Sequence, residues 1–290
     1  MLWRSFRANL FYFIEMSDLS QFKTFSSGLA LQDYLMPVLF VGHGSPMNGI
    51  EDNEFSTKWA TMAQDIPTPS AVLVVSAHWF TKGTHITAMD FPSTIHDFGG
   101  FPQELFDVNY PSPGSPDLAL ETQKLITSTV IGLDHDWGLD HGAWTVVRHM
   151  YPKADIPVLQ LSIDYTKDGR YHYDLAKELY QLRRRGVLIL GSGNMVHNLR
   201  MVSWEMMNGG GYDWALDINE KFKSLILNNE HQPMINYQSL GKEALLAIPT
   251  PEHYLPLLYT LGLKGRNESV SLFNDKAIGG SLTMTSVRIG

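Results

Sequence analysis

The stretch that decides the fold is Ala-Val-Leu-Val-Val-Ser-Ala at residues 71–77, which His78 follows directly. It is apolar almost throughout and rich in β-branched residues, a composition typical of a strand that is covered on both faces. Strands of this kind belong to parallel sheets with helices on either side. The stretch therefore predicts an α/β fold, with His78 delivered to the carboxyl end of a buried strand.

The rest of the chain alternates between strand and helix patterns. Strand patterns lie at residues 37–41, 84–89, 157–163, 186–190 and 281–289, and helix patterns at 55–64, 116–128, 171–185, 214–228 and 251–261. Segments 157–163, 171–185 and 186–190 together predict a β-α-β unit. No internal repeat and no Pro-, Gly- or Ser-rich linker divides the sequence. We expect a single α/β domain with a mostly parallel central sheet flanked by helices.

We assign this domain to residues 36–290 and regard residues 1–35 as a poorly ordered N-terminal extension. Arg4, Arg7 and an aromatic patch at 11–13 are followed there by a polar, Ser-rich stretch without periodicity. The extension resembles neither a full signal peptide nor a transit peptide. A cytoplasmic protein is therefore expected.

Composition excludes several classes of protein. The chain has 290 residues, 44% of them hydrophobic, and a net charge of −8, so nucleic acid is not an expected partner. Its Arg183-Arg184-Arg185 run fits the end of a helix before Gly186. No apolar run approaches the roughly 20 residues that span a bilayer. Since the sequence has no cysteine, any metal must be held by nitrogen and oxygen.

Four histidines lie at points where a short apolar run ends in a predicted turn or helix start. His43, His78 and His197 come after strand patterns, and His253 lies at a helix start. Because the carboxyl ends of parallel strands share one edge of a sheet, these side chains should converge on one crevice. A single such histidine would more simply cap its strand, but His43 and His78 repeat the pattern on strands that we expect to be neighbours. Neutral imidazoles gathered in this way bind iron or zinc.

The surroundings of the other two histidines leave their roles open. His197 follows Gly-Ser-Gly-Asn at 191–194, whose small residues would leave room for a substrate or a metal, so it is a ligand or a general acid–base. In Thr250-Pro251-Glu252-His253, Thr250 is predicted to cap a helix that begins at Pro251. Glu252 is then explained as a first-turn acid that interacts with the helix dipole.

Two further segments could contribute to a site. Asp140-His141-Gly142 has the pattern of a helix entry, so His141 either belongs to a cap or binds a substrate oxygen and assists proton transfer. The loop His-Asp-Phe-Gly-Gly-Phe-Pro at 96–102 is suited to covering a flat ring, although a surface loop explains it almost as well. Surface or hydrogen-bonding roles are expected for the histidines without a flanking motif, which are His85, His135, His149, His172 and His231.

Six motifs together resemble those of the DOPA 4,5-dioxygenase group within the class III extradiol ring-cleavage dioxygenases, a LigB-like superfamily. They are Gly-His-Gly-Ser-Pro-Met at 42–47, Ser-Ala-His-Trp at 76–79, Ile-His-Asp-Phe-Gly-Gly-Phe-Pro at 95–102, Asp-His-Gly at 140–142, Gly-Asn-Met-Val-His-Asn at 193–198 and Pro-Thr-Pro-Glu-His-Tyr at 249–254. Their number and order make the resemblance more specific than any single histidine.

The resemblance implies an extradiol dioxygenase-like catalytic domain with one divalent metal ion, a catechol such as DOPA and dioxygen as substrates. By that analogy His43, His78 and His253 bind the metal, and His197 is a fourth ligand or the acid–base residue. His141 would contact substrate or dioxygen. The wider superfamily uses two histidines and a glutamate, so Glu252 is a candidate ligand if a carboxylate is needed.

Iron would be the metal for activity, and an all-histidine shell would accept zinc equally well. A second interpretation is a zinc-dependent hydrolase, since zinc has no redox chemistry but acidifies a bound water. A third is a non-catalytic metal-binding interaction protein on the same fold. The sequence assigns no oligomeric state.

Overall fold

The computed structural model describes residues 28–290, so most of the expected extension at 1–35 lies outside the described residues. The strands are β1 (Val38–Gly42), β2 (Ala71–Thr81), β3 (Thr84–Thr87), β4 (Ser93–Thr94), β5 (Ile131–Asp134), β6 (Gly138–Leu139), β7 (Val158–Asp164), β8 (Val187–Gly193), β9 (Val270–Phe273), β10 (Ala277–Ile278), β11 (Leu282–Thr283) and β12 (Ser286–Ile289).

The α-helices are α1 (Glu54–Gln64), α2 (Gln103–Phe106), α3 (Pro116–Leu125), α4 (His141–Met150), α5 (Gly169–Glu178), α6 (Tyr180–Arg183), α7 (Asp213–Leu227), α8 (His231–Ile235), α9 (Lys242–Ala247) and α10 (Leu255–Gly262). Short 3₁₀ helices lie at Pro46–Gly49, Leu199–Met201, Trp204–Met206 and Tyr237–Leu240. Within residues 28–290, every helix is too short or too polar to cross a lipid bilayer.

Eight strands form the central sheet, in the order β5-β3-β7-β2-β8-β1-β12-β9. Its middle, from β7 to β1, is entirely parallel. Strand β12 adds to β1 in the antiparallel sense, and β3 pairs antiparallel with β7. The predicted single-domain α/β fold with a mostly parallel sheet is confirmed.

Alternate residues of the central strands pack into separate cores on the two faces of the sheet. On β8, Val187 and Ile189 join the core with α3, α5, α7 and α10, whereas Leu188 and Leu190 join the core with α1 and α4. Each such side chain, fully removed from water, contributes about 1.5–3 kcal/mol. This two-sided burial explains why the strands read as continuous apolar runs.

Three predicted boundaries were wrong. The helix expected at 171–185 is two helices, α5 and α6, and the strand expected at 281–289 is divided into β11 and β12. The helix expected from Pro251 begins only at Leu255, because residues 251–254 form a turn in which the Thr250 hydroxyl bonds the Glu252 carboxylate, 2.7 Å away. Thr250 therefore makes no helix cap. Ser115 and Asp140 cap α3 and α4 by accepting from the backbone N–H groups of Leu118 and Ala143, and the helix entry predicted at Asp140 is confirmed.

Candidate metal centre

His78 lies within β2 rather than after it. The strand was expected to end at residue 77, but it continues to Thr81. Its register with β7 shifts between Val75 and Phe80, so the intervening residues form a bulge. Bulges redirect side chains out of the regular ladder. The bulge thus turns the His78 imidazole toward the carboxyl edge of the sheet.

His43 follows β1 directly, but β1 and β2 are not neighbours as the sequence suggested. Strand β8 lies between them and pairs with both. Its last residues are small: Ser192 stands opposite Ser76 of β2 and Val41 of β1. The short side chains of β8 leave the two imidazoles free to meet above it.

Hydrogen bonds fix which nitrogen of His43 carries the proton. The Ser192 hydroxyl donates to the carbonyl oxygen of Gly142 at 2.5 Å, and it also lies 3.0 Å from His43 Nδ1. Since the hydroxyl has one proton and gives it to a carbonyl, His43 Nδ1 must be the donor in the second bond. The lone pair of His43 is therefore on Nε2.

His253 reaches the same place from the turn before α10. Its carbonyl oxygen accepts a hydrogen bond from the backbone N–H of Asn194 at 2.9 Å. A Cβ on Gly193 would lie 2.1 Å from that oxygen, so only glycine permits this approach. The small residues at 191–194 were expected to leave room for a ligand, but at Gly193 the His253 turn fills the space.

His43, His78 and His253 form a cluster that fits one metal ion. One ring nitrogen from each lies within 4.8 Å of the others, and the Nε2 atoms of His43 and His78 are 3.1 Å apart. Two nitrogens bound at about 2.0–2.1 Å and roughly 90–110° apart would be separated by about 2.8–3.4 Å. The observed distance has that size. The donor set and its geometry fit a divalent metal with imidazole ligands.

Burial keeps these imidazoles neutral. It lowers the pKa of His43 and of His253 well below the usual value, and neighbouring histidines lower both further. Burial and His141 also lower the pKa of His78 to about 3, against the opposing effect of Asp97. Neutral imidazole is the form that binds metals. The cluster is therefore ready to bind a metal without first losing protons.

Asp97 links His78 with His141 and was not singled out from the sequence. One carboxylate oxygen lies 3.3 Å from His78 Nδ1, and the other accepts from both Nδ1 and the backbone N–H of His141, at 3.0 and 2.9 Å. Burial raises the pKa of Asp97, but the hydrogen bonds from His141 outweigh it and lower the pKa to about 2. The ionised carboxylate fixes the Nδ1–H tautomer of His141 and, lying beside His78 Nδ1, favours the same tautomer of that ring.

His141 begins α4, as its sequence predicted. The buried Asp140 side chain caps that helix through the Ala143 N–H at 3.0 Å, and it also accepts from Ser76 at 2.6 Å and Gln160 at 2.7 Å. These bonds tie the helix entry to β2 and β7. They hold the His141 ring next to the His78 ring, with 3.8 Å between the two ring centroids.

His197 stacks on His253. The ring centroids are 3.6 Å apart and the planes differ by 8°. Imidazole lone pairs lie in the ring plane, so parallel rings cannot both aim at the same ion. Burial lowers the pKa of His197 to about 4, although Glu252 opposes that effect. Glu252 itself lies 3.3 Å from His253 Nδ1, behind that ring.

A cavity of about 780 Å³ opens onto the cluster. All five predicted site histidines line it, together with Phe98 and Phe101 of the 96–102 loop. Phe98 meets His141 edge to face, with 5.6 Å between ring centroids. The loop therefore forms a wall of the cavity. His96, in contrast, bonds the Val108 carbonyl at 3.0 Å.

The fold and the histidine cluster define the class of protein: an α/β protein whose sheet edge can hold one metal ion above an aromatic-lined cavity. Residues 37–282 match the family described as the catalytic LigB subunit of aromatic ring-opening dioxygenase. The chain belongs to this family, which is metal-dependent, and it is accordingly an oxidoreductase.

Individual relatives agree with the family match. A 4,5-DOPA dioxygenase extradiol of Escherichia coli (strain K12) is 48% identical over 259 residues, covering 88% of this chain and 95% of the relative. Another 4,5-DOPA dioxygenase extradiol, from Beta vulgaris, is 35% identical over 263 residues, covering 89% and 97%. The crystal structure of an uncharacterized protein from Escherichia coli K12 superposes with a TM-score of 0.77 at 42% identity, covering 88% of this chain and 100% of that one.

Proposed function

We propose that this chain opens the ring of a catechol such as DOPA with dioxygen, next to the paired hydroxyls. The bond between a hydroxylated carbon and its unhydroxylated neighbour breaks, and the two carbons become a carboxylate and an aldehyde. Both oxygen atoms of dioxygen enter the product. The observation that carries this proposal is the cluster of neutral His43, His78 and His253 on the wall of an aromatic-lined cavity.

His43, His78 and His253 would hold the metal. Three protein ligands leave open positions, an arrangement typical of catalytic rather than structural sites. Ferrous iron, when bound there, would supply the redox chemistry that dioxygen requires, which zinc lacks. We therefore assign iron to the active enzyme and regard zinc as a metal that the same nitrogens could retain.

His141 is proposed as the base that takes a proton from the catechol. Its Nδ1–H donates to Asp97, so the lone pair needed for proton transfer is on Nε2. A neutral imidazole in this tautomer is a suitable general base. Asp97 acts through His141, since it sets the tautomer and orientation of the ring.

His197 is proposed as a second acid–base residue rather than a fourth ligand. Its parallel stack on His253 directs its lone pair away from an ion in the plane of the His253 ring. At the cavity wall its neutral ring can receive a proton and later return it to a departing oxygen. Glu252 supports His253 through Nδ1 and is not assigned to the metal.

The cavity wall supports an aromatic substrate. Phe98 and Phe101 pack edge to face, with 5.4 Å between ring centroids, and present apolar edges beside the histidines. Aromatic rings prefer such offset and edge contacts. A catechol ring held there would also exclude water from the dioxygen-reacting position.

Anaerobic reconstitution tests the proposal. The protein is loaded with ferrous iron or zinc, then mixed with DOPA and air while oxygen uptake and visible absorption are recorded. Iron protein should consume oxygen and form a yellow semialdehyde, and zinc protein should do neither. Absence of uptake with any catechol despite stoichiometric iron would favour the hydrolase or the non-catalytic interpretation, which ester and amide substrates would then separate.

A further inference from the structure

Few residues that line the cavity carry a charged side chain. Among the described residues that line it, those with a lysine, arginine or carboxylate group are Glu51, Glu54 and Lys276. Glu54 begins α1 and Lys276 directly precedes β10, so the two come from opposite ends of the chain. The catechol end of a substrate would face the histidines. We expect the rest of the substrate to meet these charges.

Lys276 and Glu54 form an ion pair in the cavity lining. Their side chains are 38% and 59% exposed, and the Lys276 ammonium also lies 6.0 Å from the centre of the Phe55 ring. Exposed pairs of this kind contribute little to stability. The pair can therefore turn toward a ligand at small cost, and Phe55, which also lines the cavity, lies beside the ammonium.

We propose that Lys276 and Glu54 select catechols that carry an α-amino acid group, with Lys276 binding the carboxylate and Glu54 the ammonium. This inference rests on the proposed ring-cleavage function and adds the residues that recognise the amino acid group of the substrate. An α-amino acid carries one carboxylate and one ammonium, two bonds apart. The carboxylate is opposite in charge to Lys276, and the ammonium is opposite in charge to Glu54. Charge-assisted hydrogen bonds are stronger than neutral ones. Glu51, a second carboxylate in the cavity lining, adds to the attraction for the ammonium.

The rest of the cavity lining is largely apolar, with Val202, Leu199 and Ile278 among its residues. An aromatic ring and its methylene group suit such a surface, and charged groups do not. A substrate whose charges lie only at the end opposite its catechol hydroxyls therefore matches both the apolar and the charged parts of the lining. DOPA has this distribution of polarity.

Three catechols with different side chains test the selection. DOPA has both charges, dopamine has only the ammonium and 3-(3,4-dihydroxyphenyl)propionate has only the carboxylate. In Lys276→Met, kcat/KM for DOPA should fall about five- to twentyfold relative to dopamine, mainly through KM. In Glu54→Gln, kcat/KM for DOPA should fall similarly relative to the propionate. Lys276→Arg should keep most of the wild-type preference for DOPA over dopamine.

Lys242→Met and Glu243→Gln are matched controls, because this pair is also exposed, with 3.9 Å between its charged atoms, and lies outside the lining of the cavity. They should leave both substrate ratios unchanged. An equal loss for all three catechols in Lys276→Met and Glu54→Gln, or no loss, would overturn the inference while ring cleavage itself stands. Failure of the iron-loaded wild type to open any of the three catechols would instead refute the proposed function.

Discussion

The Nε2 atoms of His43 and His78 lie 3.1 Å apart, although the two residues come from strands that do not pair. The Ser192 hydroxyl accepts a hydrogen bond from Nδ1–H of His43, and the Asp97 carboxylate lies beside Nδ1 of His78. Both lone pairs therefore point at each other, an arrangement that is repulsive until a cation lies between them. The partners behind the two rings prepare the pair for a metal.

Removal of individual histidines separates ligands from acid–base groups. We expect His43→Ala, His78→Ala and His253→Ala to abolish metal binding, because each removes one of three converging nitrogens. His197→Ala should keep at least part of the metal and lose turnover. Metal content after dialysis and kcat give the measurement, with exposed His135→Ala as the control. Full metal loss in His197→Ala would make it a ligand.

Ser192→Ala should weaken metal binding about 10- to 100-fold while the protein stays folded, since the variant frees the His43 tautomer and ring orientation. Competition with a chelator measures the affinity. Ser239→Ala, on the surface, is the control. Wild-type affinity in Ser192→Ala would show that packing alone orients His43.

Gly193→Ala should displace the His253 turn. Its new Cβ would lie 2.1 Å from the His253 carbonyl oxygen, so the turn must shift. We predict at least a tenfold loss of metal affinity, measured by chelator competition. Gly99→Ala is the matched control, because a Cβ there meets nothing within 4 Å. Equal affinities in the two variants would contradict the requirement for glycine.

Asp97→Asn should lower kcat about 100-fold or more, because the amide can donate to His141 and no longer enforces its Nδ1–H tautomer.

His141→Gln should lower kcat about 10²- to 10⁴-fold with the metal retained. A parallel loss of metal and kcat in that variant would assign His141 to the metal instead.

Sequence patterns revealed the histidines but not their supporting contacts. Apolar runs ending in a histidine predicted the convergence of His43 and His78, since strand direction in a parallel sheet dictates it. Asp97 was missed because its role depends on a contact with His141, 44 residues away, which leaves no local pattern.

The two main errors at the site have a common origin. A bulge in β2 and the turn at 251–254 depend on packing against β7 and β8, whereas local propensity favours a strand end and a helix cap there. Gly193 was interpreted as space for a ligand because sequence cannot show that the His253 turn fills it. The helix entry at Asp140 was predictable, since the hydrogen bonds of a helix start are local.

Metal-free protein should lose stability as the pH falls from about 6.5 to 4. Burial lowers the pKa of His172 and of His231, both outside the metal centre, to about 4. An unfolded histidine has a pKa of about 6.5, so the unfolded chain binds more protons in this window. The contribution of each neutral histidine to the free energy of unfolding is fully present above pH 6.5. At pH 5, at most about 2 kcal/mol of it per histidine has been lost.

Urea unfolding at pH 7 and pH 5 measures this effect. His172→Gln should reduce the difference between the two midpoints, whereas exposed His135→Gln should leave it unchanged. An undiminished difference in His172→Gln would show that His172 is protonated in the folded protein.

The most direct test of the central claim is mass spectrometry of the product formed from DOPA by iron-loaded protein under ¹⁸O₂. Ring cleavage predicts a product heavier than DOPA by two oxygen atoms, with ¹⁸O in the new carboxylate. A product with the ring intact, or a ring-opened product that carries oxygen from water alone, would contradict the assignment of this histidine cluster to dioxygen chemistry.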